Sequence, residues 1–115
     1  MLYGGCLVYR LVPSQDFERW LAHHKHDRAE LERVEHEIMH VVQDPHTGKP
    51  LGFPGFHEKN FGPKRILYVI FDDLGAVFVV DVTDKKHQEE EIGMVRASMG
   101  EFRGVVLAAL RQEES

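Results

Sequence analysis

Two apolar runs dominate the hydrophobic pattern of this chain. They extend from Arg65 to Phe71 and from Ala76 to Val82, and both are rich in Val, Ile, Phe and Tyr. Runs of this length and composition are typical of strands that are buried in a sheet. The turn segment Asp72-Asp73-Leu74-Gly75 joins them, so the pattern predicts a β-hairpin.

The N-terminal part of the chain begins with a strand pattern and then changes to helical spacing. Leu7 to Val12 alternates loosely, and Pro13 ends this predicted strand because proline cannot donate to a ladder. Ser14 is a suitable N-cap, and apolar residues at helical spacing follow it. We therefore expect a first helix from about Gln15 to His23.

A second helix is predicted where Asp27 and Glu30 have the spacing of a capping box. It should end near Gln43, because Asp44-Pro45 follows. One stripe of this helix is apolar and is predicted to be buried: Leu31, Val34, Ile38, Val41 and Val42. The short connection between the two helices favours an antiparallel helical hairpin.

The remaining elements complete an α+β pattern. A short strand from Phe56 to Asn60 is predicted before the β-hairpin, and helical spacing returns after Asp84, with a last helix from about Glu101 to Arg111. The order predicts an N-terminal strand, a helical hairpin packed on a small antiparallel β-sheet, and a C-terminal helix or helices. The length of the chain suits a single domain, residues 1–115.

Composition and charge narrow the class of protein. No run approaches the roughly 20 apolar residues that a membrane span needs, and the N-terminus has no basic region of the kind that opens a signal peptide. The single cysteine, Cys6, fits a reducing compartment, so we expect a cytoplasmic protein. The formal net charge of -5 argues against nonspecific coating of nucleic acid, which relies on a broad basic surface.

The segment His36-Glu37-Ile38-Met39-His40 fits the HExxH zinc signature, and His46 follows where some zinc proteases place a third ligand. A zinc-dependent hydrolase using His36, Glu37 and His40 is therefore one hypothesis. However, both histidines lie about 160° from the buried stripe on the helical wheel, so they should face solvent, whereas a catalytic zinc needs a walled cleft. We expect an exposed histidine pair and no metal site or cofactor.

Basic residues and histidines gather at the margins of the predicted sheet. They are His57, Lys59, Lys64, Arg65, Lys85, Lys86 and His87. Cleavage of a phosphodiester needs positive charge on the phosphate, a proton acceptor and a proton donor. Arg65 has the side chain for bidentate phosphate binding, and His57, Lys59 or His87 could move protons. Cations beside a strand also commonly protect a sheet edge.

Several of these segments together resemble the RelE/ParE superfamily of toxins from type II toxin–antitoxin systems. The resemblance covers roughly Leu7 to Gln88, and it lies in VYRLVPSQDF, in DPHTGKPL after the second helix, in KRILYVIF and in VFVVDVTDKKHQ. The segment KKHQ is closest to the HigB-like branch. Residues 89–115 form a C-terminal helical segment outside the resemblance.

The resemblance implies a toxin that a partner antitoxin wraps and neutralises. Ribosome-dependent members of the superfamily cut mRNA without a metal, whereas the ParE branch poisons DNA gyrase. Arg65 matches the arginine that opens the central strand, which implies that it holds the phosphate, and Lys59 falls near a preceding basic strand residue. The resemblance further implies that Lys64, Lys85 and Lys86 bind RNA and that His57 or His87 transfers protons.

The chain departs from the mRNA-cutting members in two respects. Some of them carry a tyrosine just beyond the last basic segment, where this chain has Gln88 and three glutamates. Most of them are basic, whereas this chain is acidic. The leading hypothesis is a metal-independent mRNA endoribonuclease that acts with the ribosome. A noncatalytic inhibitor of DNA gyrase and an inactive homologue are the alternatives.

Overall fold

The computed structural model describes residues 8–84 and 88–114. Its strands, in chain order, are β1 (Arg10–Pro13), β2 (Lys49–Pro50), β3 (Phe56–Phe61), β4 (Lys64–Phe71) and β5 (Ala76–Thr83). Its helices are α1 (Gln15–His23), α2 (Arg28–Gln43) and α3 (Gln88–Glu114). The α+β prediction is confirmed. Cys6, and the residues Lys85, Lys86 and His87 of the predicted site, lie outside the described residues.

The five strands form one sheet in the order β1-β5-β4-β3-β2. The predicted hairpin is its centre: β4 and β5 pair antiparallel, from Phe71 opposite Ala76 outwards. Gly75 ends the connecting turn with a left-handed backbone (φ 60°), a conformation that glycine adopts without steric cost. β1 returns to the sheet beside β5 and runs parallel to it, so the sheet is mixed, with antiparallel pairing elsewhere.

The two faces of the sheet are covered by different helices. The helices α1 and α2 cover one face of the sheet, and we call the core beneath this helical hairpin the hairpin core. It contains Phe17, Val34, Ile38, Val41, Val42, Ile66, Tyr68, Ile70, Val77, Val79 and Val82. We call the opposite face the α3 core; it contains Val12, Leu51, Phe56, Leu67, Val69, Phe71, Ala76, Phe78, Val80, Val95 and Val106. Successive residues of β4 alternate between the two cores, as side chains of a strand must.

The C-terminal segment is one helix of 27 residues rather than two shorter ones. Gly93, Gly100 and Gly104 all lie inside this helix, although each glycine costs a helix about 1 kcal/mol relative to alanine. Packing outweighs this cost, because Val95 and Val106 are fully buried and Phe102 stacks on Phe78 with ring centroids 4.6 Å apart. No helix in the described part of the chain combines the length and hydrophobicity needed to cross a membrane.

A β-bulge changes the register between β4 and β5. Leu67 pairs with Asp81, whereas the next residue, Tyr68, pairs with Val79, so β5 has one extra residue here. The bulge turns the end of β5, and it places Asp81 on the same face as Leu67, which is the face that α3 covers.

The tight contact at Gly48 yields a first prediction. A Cβ atom on Gly48 would lie 2.0 Å from the Tyr68 hydroxyl and 2.9 Å from the Glu58 carbonyl oxygen. That hydroxyl donates to the Pro45 carbonyl oxygen at 2.6 Å, so the substitution Gly48→Ala must displace a buried, hydrogen-bonded ring. We expect it to lower the free energy of unfolding by about 1–3 kcal/mol, measured by urea denaturation.

Gly104→Ala is the matched control. Gly104 lies within α3, and no atom lies within 4 Å of its added Cβ. This substitution should raise the free energy of unfolding by about 0.5–1 kcal/mol. A Gly48→Ala protein as stable as the unmodified chain would contradict the close approach at Gly48.

Candidate functional site

Arg65 is the centre of the candidate site. It stands near the start of β4, and its side chain points to the face that α3 covers, like those of Leu67 and Val69 on the same strand. The side chain is only 7% exposed. Two carboxylates hold its guanidinium: Nη1 donates to Glu58 Oε2 at 2.8 Å, and Nη2 donates to both oxygens of Glu91 at 3.1 Å.

The two carboxylates come from different layers of the structure. Glu58 lies on β3 and pairs in the ladder with Leu67, so it projects to the same face as Arg65. Glu91 lies in the first turn of α3. A sheet residue therefore forms one side of the arginine site, and the terminal turn of a helix forms the other.

Electrostatics in this region favour the charged guanidinium. Burial by itself would lower the pKa of Arg65, but the hydrogen bonds with Glu58 and Glu91 outweigh burial, and the pKa is raised. Asp81 adds further negative charge, and its own pKa is raised, first by burial and also by the charges of Asp16 and Glu91. Glu58 also lies 4.0 Å from Lys49 Nζ, so the carboxylates of this region are shared between Arg65 and a second, more exposed cation.

The other described basic residues of the predicted site lie on the opposite face of the sheet. His57 pairs with Tyr68 in the ladder and stacks on its ring, with centroids 5.8 Å apart, and Lys59 pairs with Ile66. Tyr68 and Ile66 belong to the hairpin core. Lys64 donates to Glu30 of α2 at 2.8 Å and lies 5.6 Å from the centroid of the Trp20 ring.

The structure thus separates Arg65 from His57, Lys59 and Lys64. The reason is the alternation of side chains along a strand: Lys64 and Arg65 are neighbours in sequence and therefore face opposite ways. His57 is buried, and burial is the main cause that lowers its pKa. His57, Lys59 and Lys64 therefore lie across the sheet from Arg65, and their predicted catalytic and RNA-binding roles stay predictions.

A second polar cluster was not anticipated from the sequence. Asp72, in the turn between β4 and β5, accepts hydrogen bonds from the Tyr9 hydroxyl at 2.5 Å and from His46 Nε2 at 2.9 Å. The hydrogen bond from Tyr9, followed by that from His46, lowers the pKa of the Asp72 carboxyl. The His46 ring meets His57 edge-on, with centroids 5.9 Å apart. The cluster ties three distant segments of the chain together, and its partners are too far apart in sequence to have been recognised.

The two histidines of the HExxH segment lie on the outer surface of α2. His36 and His40 are exposed, as the helical wheel predicted, and their ring centroids are 4.7 Å apart. His46 takes part in the Asp72 cluster instead of approaching them. In residues 8–84 and 88–114, no group of three His, Cys, Asp or Glu side chains is arranged to hold a metal ion. Glu37, between the two histidines in sequence, is half-buried on α2.

The buried His57 yields a prediction about pH. Its pKa in the folded protein lies below the ordinary value of 6.5, so between these two values the unfolded chain binds more protons than the folded chain. The contribution of His57 to stability is therefore complete above about pH 6.5 and declines as the pH falls toward the folded pKa. We expect the urea midpoint to fall between pH 8 and pH 5 less steeply in His57→Phe than in the unmodified protein.

His36→Gln is the control for this measurement, because His36 is exposed on α2. Its pH profile should match that of the unmodified protein. If the pH profile of His57→Phe is as steep as that of the unmodified protein, groups other than His57 cause the loss of stability at acid pH. Asp72 acts in a separate window, since its depressed pKa affects stability only below its ordinary value of 3.8.

Comparison with known proteins adds a fold assignment. No protein-family model matches the chain, and no curated protein sequence matches it. Among solved structures, a chain of the RelBE2 toxin–antitoxin complex from Mycobacterium tuberculosis aligns with a TM-score of 0.59 and 25% sequence identity, covering 69% of this chain and 93% of that chain.

Two structures from E. coli give similar alignments at 18% identity, each with a TM-score of 0.56. The alignment with a chain of the intact RelBE toxin–antitoxin complex covers 69% of this chain and 99% of that chain. The alignment with the isolated RelE toxin covers 77% of this chain and 97% of that chain. The resemblance predicted from the sequence is therefore confirmed at the level of the fold: the chain has a RelE-like fold.

Proposed function

We propose that the protein is the toxin of a RelE-type toxin–antitoxin pair and that it cleaves mRNA on the ribosome without a metal ion or other cofactor. The RelE fold supports the first part, since two of the similar structures are toxin–antitoxin complexes. Its partners would be an antitoxin protein, the ribosome and mRNA, and its location the cytoplasm. The two cores share one sheet, which supports a single domain over residues 1–115.

The observation that carries the proposal is the contact between Arg65 and Glu91. Both oxygens of the Glu91 carboxylate lie 3.1 Å from Arg65 Nη2. A phosphate group presents oxygens of similar charge and spacing, and arginine binds both groups through the same donors. The Glu91 carboxylate thus occupies the position on Arg65 that a phosphate oxygen of RNA would take.

Exposure of Arg65 would require movement of the first turn of α3 and of the adjoining Ile92, which packs on the α3 core. Glu91 belongs to the first turn of the helix, whereas the fully buried residues Val95 and Val106 hold the helix to the sheet further along. Terminal turns of helices open at far lower cost than a packed core. Displacement of the first turn by RNA would remove the Glu91 carboxylate from Arg65, while Val95 and Val106 would keep the rest of α3 on the sheet.

Glu58 remains beside Arg65 when Glu91 leaves. Its carboxylate lies 2.8 Å from Nη1 and is 6% exposed. Cleavage of RNA by its own 2′-hydroxyl needs a group that accepts the hydroxyl proton, and we assign this role to Glu58. Lys85 and Lys86 would bind RNA, and His87 would donate a proton to the leaving oxygen. These three residues directly precede α3 in the sequence; His57, Lys59 and Lys64 have no part in the proposal, since they face the hairpin core.

A second candidate function is noncatalytic inhibition of DNA gyrase. It is favoured by the carboxylates beside Arg65, since Glu58 and Glu91 already pair with the guanidinium and Asp81 lies near Glu91. Phosphate must compete with these carboxylates, which weakens RNA binding. Induced expression separates the two functions: mRNA cleavage gives new in-frame 5′ ends within translated regions, whereas gyrase inhibition gives DNA-damage signalling with intact mRNA.

The role of Arg65 is best tested with Arg65→Lys. Removal of the whole side chain would leave buried carboxylates without their cation and destabilise the fold by about 3–5 kcal/mol, so Arg65→Ala would confuse folding with function. Lysine keeps the charge and loses the two-pronged donor geometry. We expect mRNA cleavage to fall by about tenfold or more, measured by mapping 5′ ends after tightly induced expression in a bacterial host. Unchanged cleavage by a folded Arg65→Lys protein would remove Arg65 from the mechanism.

Glu91→Gln tests the competition at Arg65. The amide loses the ionic attraction to the guanidinium, so RNA should displace it more readily, and we expect cleavage and growth inhibition to rise severalfold. Glu90→Gln is the matched control, because Glu90 is exposed in the same turn and has the same charge; it should resemble the unmodified protein. Equal activities of the two variants would show that Glu91 does not restrain Arg65.

A further inference from the structure

A cleft of about 460 Å³ lies between the start of α1 and the middle of α3. Aromatic and aliphatic side chains line part of it: Phe78 of β5, and Phe102 and Val105 of α3. Val105 is 43% exposed, which is unusual for a large aliphatic residue in this structure. The cleft therefore offers apolar surface to a partner, and its volume is within the range of ligand-binding pockets.

Carboxylates from both walls surround this apolar surface. Asp16 and Glu18 project from the first turn of α1, and Glu101 projects from α3; all three are exposed. Arg19 forms an exposed ion pair with Asp16 at 3.0 Å, so the carboxylates outnumber the cation. The charge of Asp16 also helps to raise the pKa of Asp81 on the neighbouring strand. The rim of the cleft is thus distinctly negative.

Local structural roles explain only part of this pattern. Acidic residues in the first turn of α1 stabilise the helix dipole, which accounts for Asp16 and Glu18. Glu101 lies in the middle of a long helix, where the dipole does not favour it. The Ser14 hydroxyl is already occupied, because it accepts from the Phe17 N–H at 2.9 Å and donates to the Val80 carbonyl at 2.6 Å. The carboxylates are therefore the groups in the cleft best placed to meet a partner.

We propose that this cleft binds a basic segment of the antitoxin, with an apolar side chain against Phe78, Phe102 and Val105 and lysines or arginines on the carboxylate rim. The inference rests on the proposed function, since it names the chemistry of the partner that a RelE-type toxin requires. An apolar anchor surrounded by complementary charge is a common arrangement at protein interfaces. The same carboxylates repel phosphates, so nucleic acid is a poor occupant.

The test uses two short synthetic peptides with the same leucine positions. In one peptide every position other than the leucines that is polar carries lysine, and in the other peptide the same positions carry glutamate. Binding to the full chain is measured by fluorescence anisotropy at low and high salt. We expect the lysine peptide to bind, and its binding should weaken as salt increases because the rim is exposed. Its affinity should fall about tenfold in the double variant Asp16→Asn with Glu101→Gln, and also in the variant Val105→Ser.

Glu35→Gln is the control variant, because Glu35 is an exposed carboxylate on α2, outside this cleft. It should bind the lysine peptide like the unmodified protein. Equal binding of both peptides, or full binding by the cleft variants, would overturn the inference. Light scattering that shows a dimer lost in the Val105→Ser variant would overturn it as well, because the occupant would then be a second copy of this chain.

Failure of the cleft proposal can be distinguished from failure of the proposed function. Asp16, Glu101 and Val105 are not part of the assigned catalytic site, so toxicity and mRNA cleavage should be unchanged in the cleft variants when no antitoxin is present. Toxicity without peptide binding would overturn the cleft assignment alone. Peptide binding without toxicity or mRNA cleavage would overturn the proposed activity alone.

Discussion

The burial of both faces of the central sheet is the constraint on which the rest of the structure depends. β4 and β5 are apolar along nearly their whole length because one face packs on α1 and α2 and the other on α3. Opposite sides of a strand then belong to different cores, and a shift by one residue would exchange every side chain between them. The two cores therefore fix the register of β4 and β5, and with it the face on which each polar residue near the strand ends lies.

The arginine site follows from this constraint. Because Arg65 belongs to the α3 face, it is buried at the margin of an apolar core, where an unpaired charge would be strongly unfavourable. Glu58 and Glu91 compensate the charge, but a buried ion pair contributes little net stability, since the cost of desolvating the ions offsets their attraction. The cluster is thus better explained by a need to keep a guanidinium at this position than by a gain in stability. That need is what a phosphate-binding role would supply.

The parts of the fold governed by local patterns could be predicted from the sequence. α1 was expected from about Gln15 to His23 and is found there, since the Ser14 cap and the apolar spacing are local signals. The β-hairpin was also predicted to within a residue at each end. The parallel pairing of β1 with β5 and the packing of α3 on the second face could not be predicted in this way, because they join segments far apart in the chain. The same reason explains why the Asp72 cluster was missed.

The arrangement of the candidate site's side chains could not be predicted from the sequence. The residue types that favour phosphate chemistry were apparent from the sequence, yet their grouping by sequence proximity ignored the alternation of the strands and placed His57 beside Arg65. Glu58 was not among the predicted residues, because its contact with Arg65 depends on the pairing of β3 with β4. The fold aligns with the solved RelBE and RelE structures at 18–25% identity, and the two-sided burial of the sheet in this chain restricts its buried strand positions, because any change of face would disrupt a core. Residues at the strand ends are under no such restriction, so the charges around Arg65 can differ from those of a strongly basic toxin while the fold stays the same.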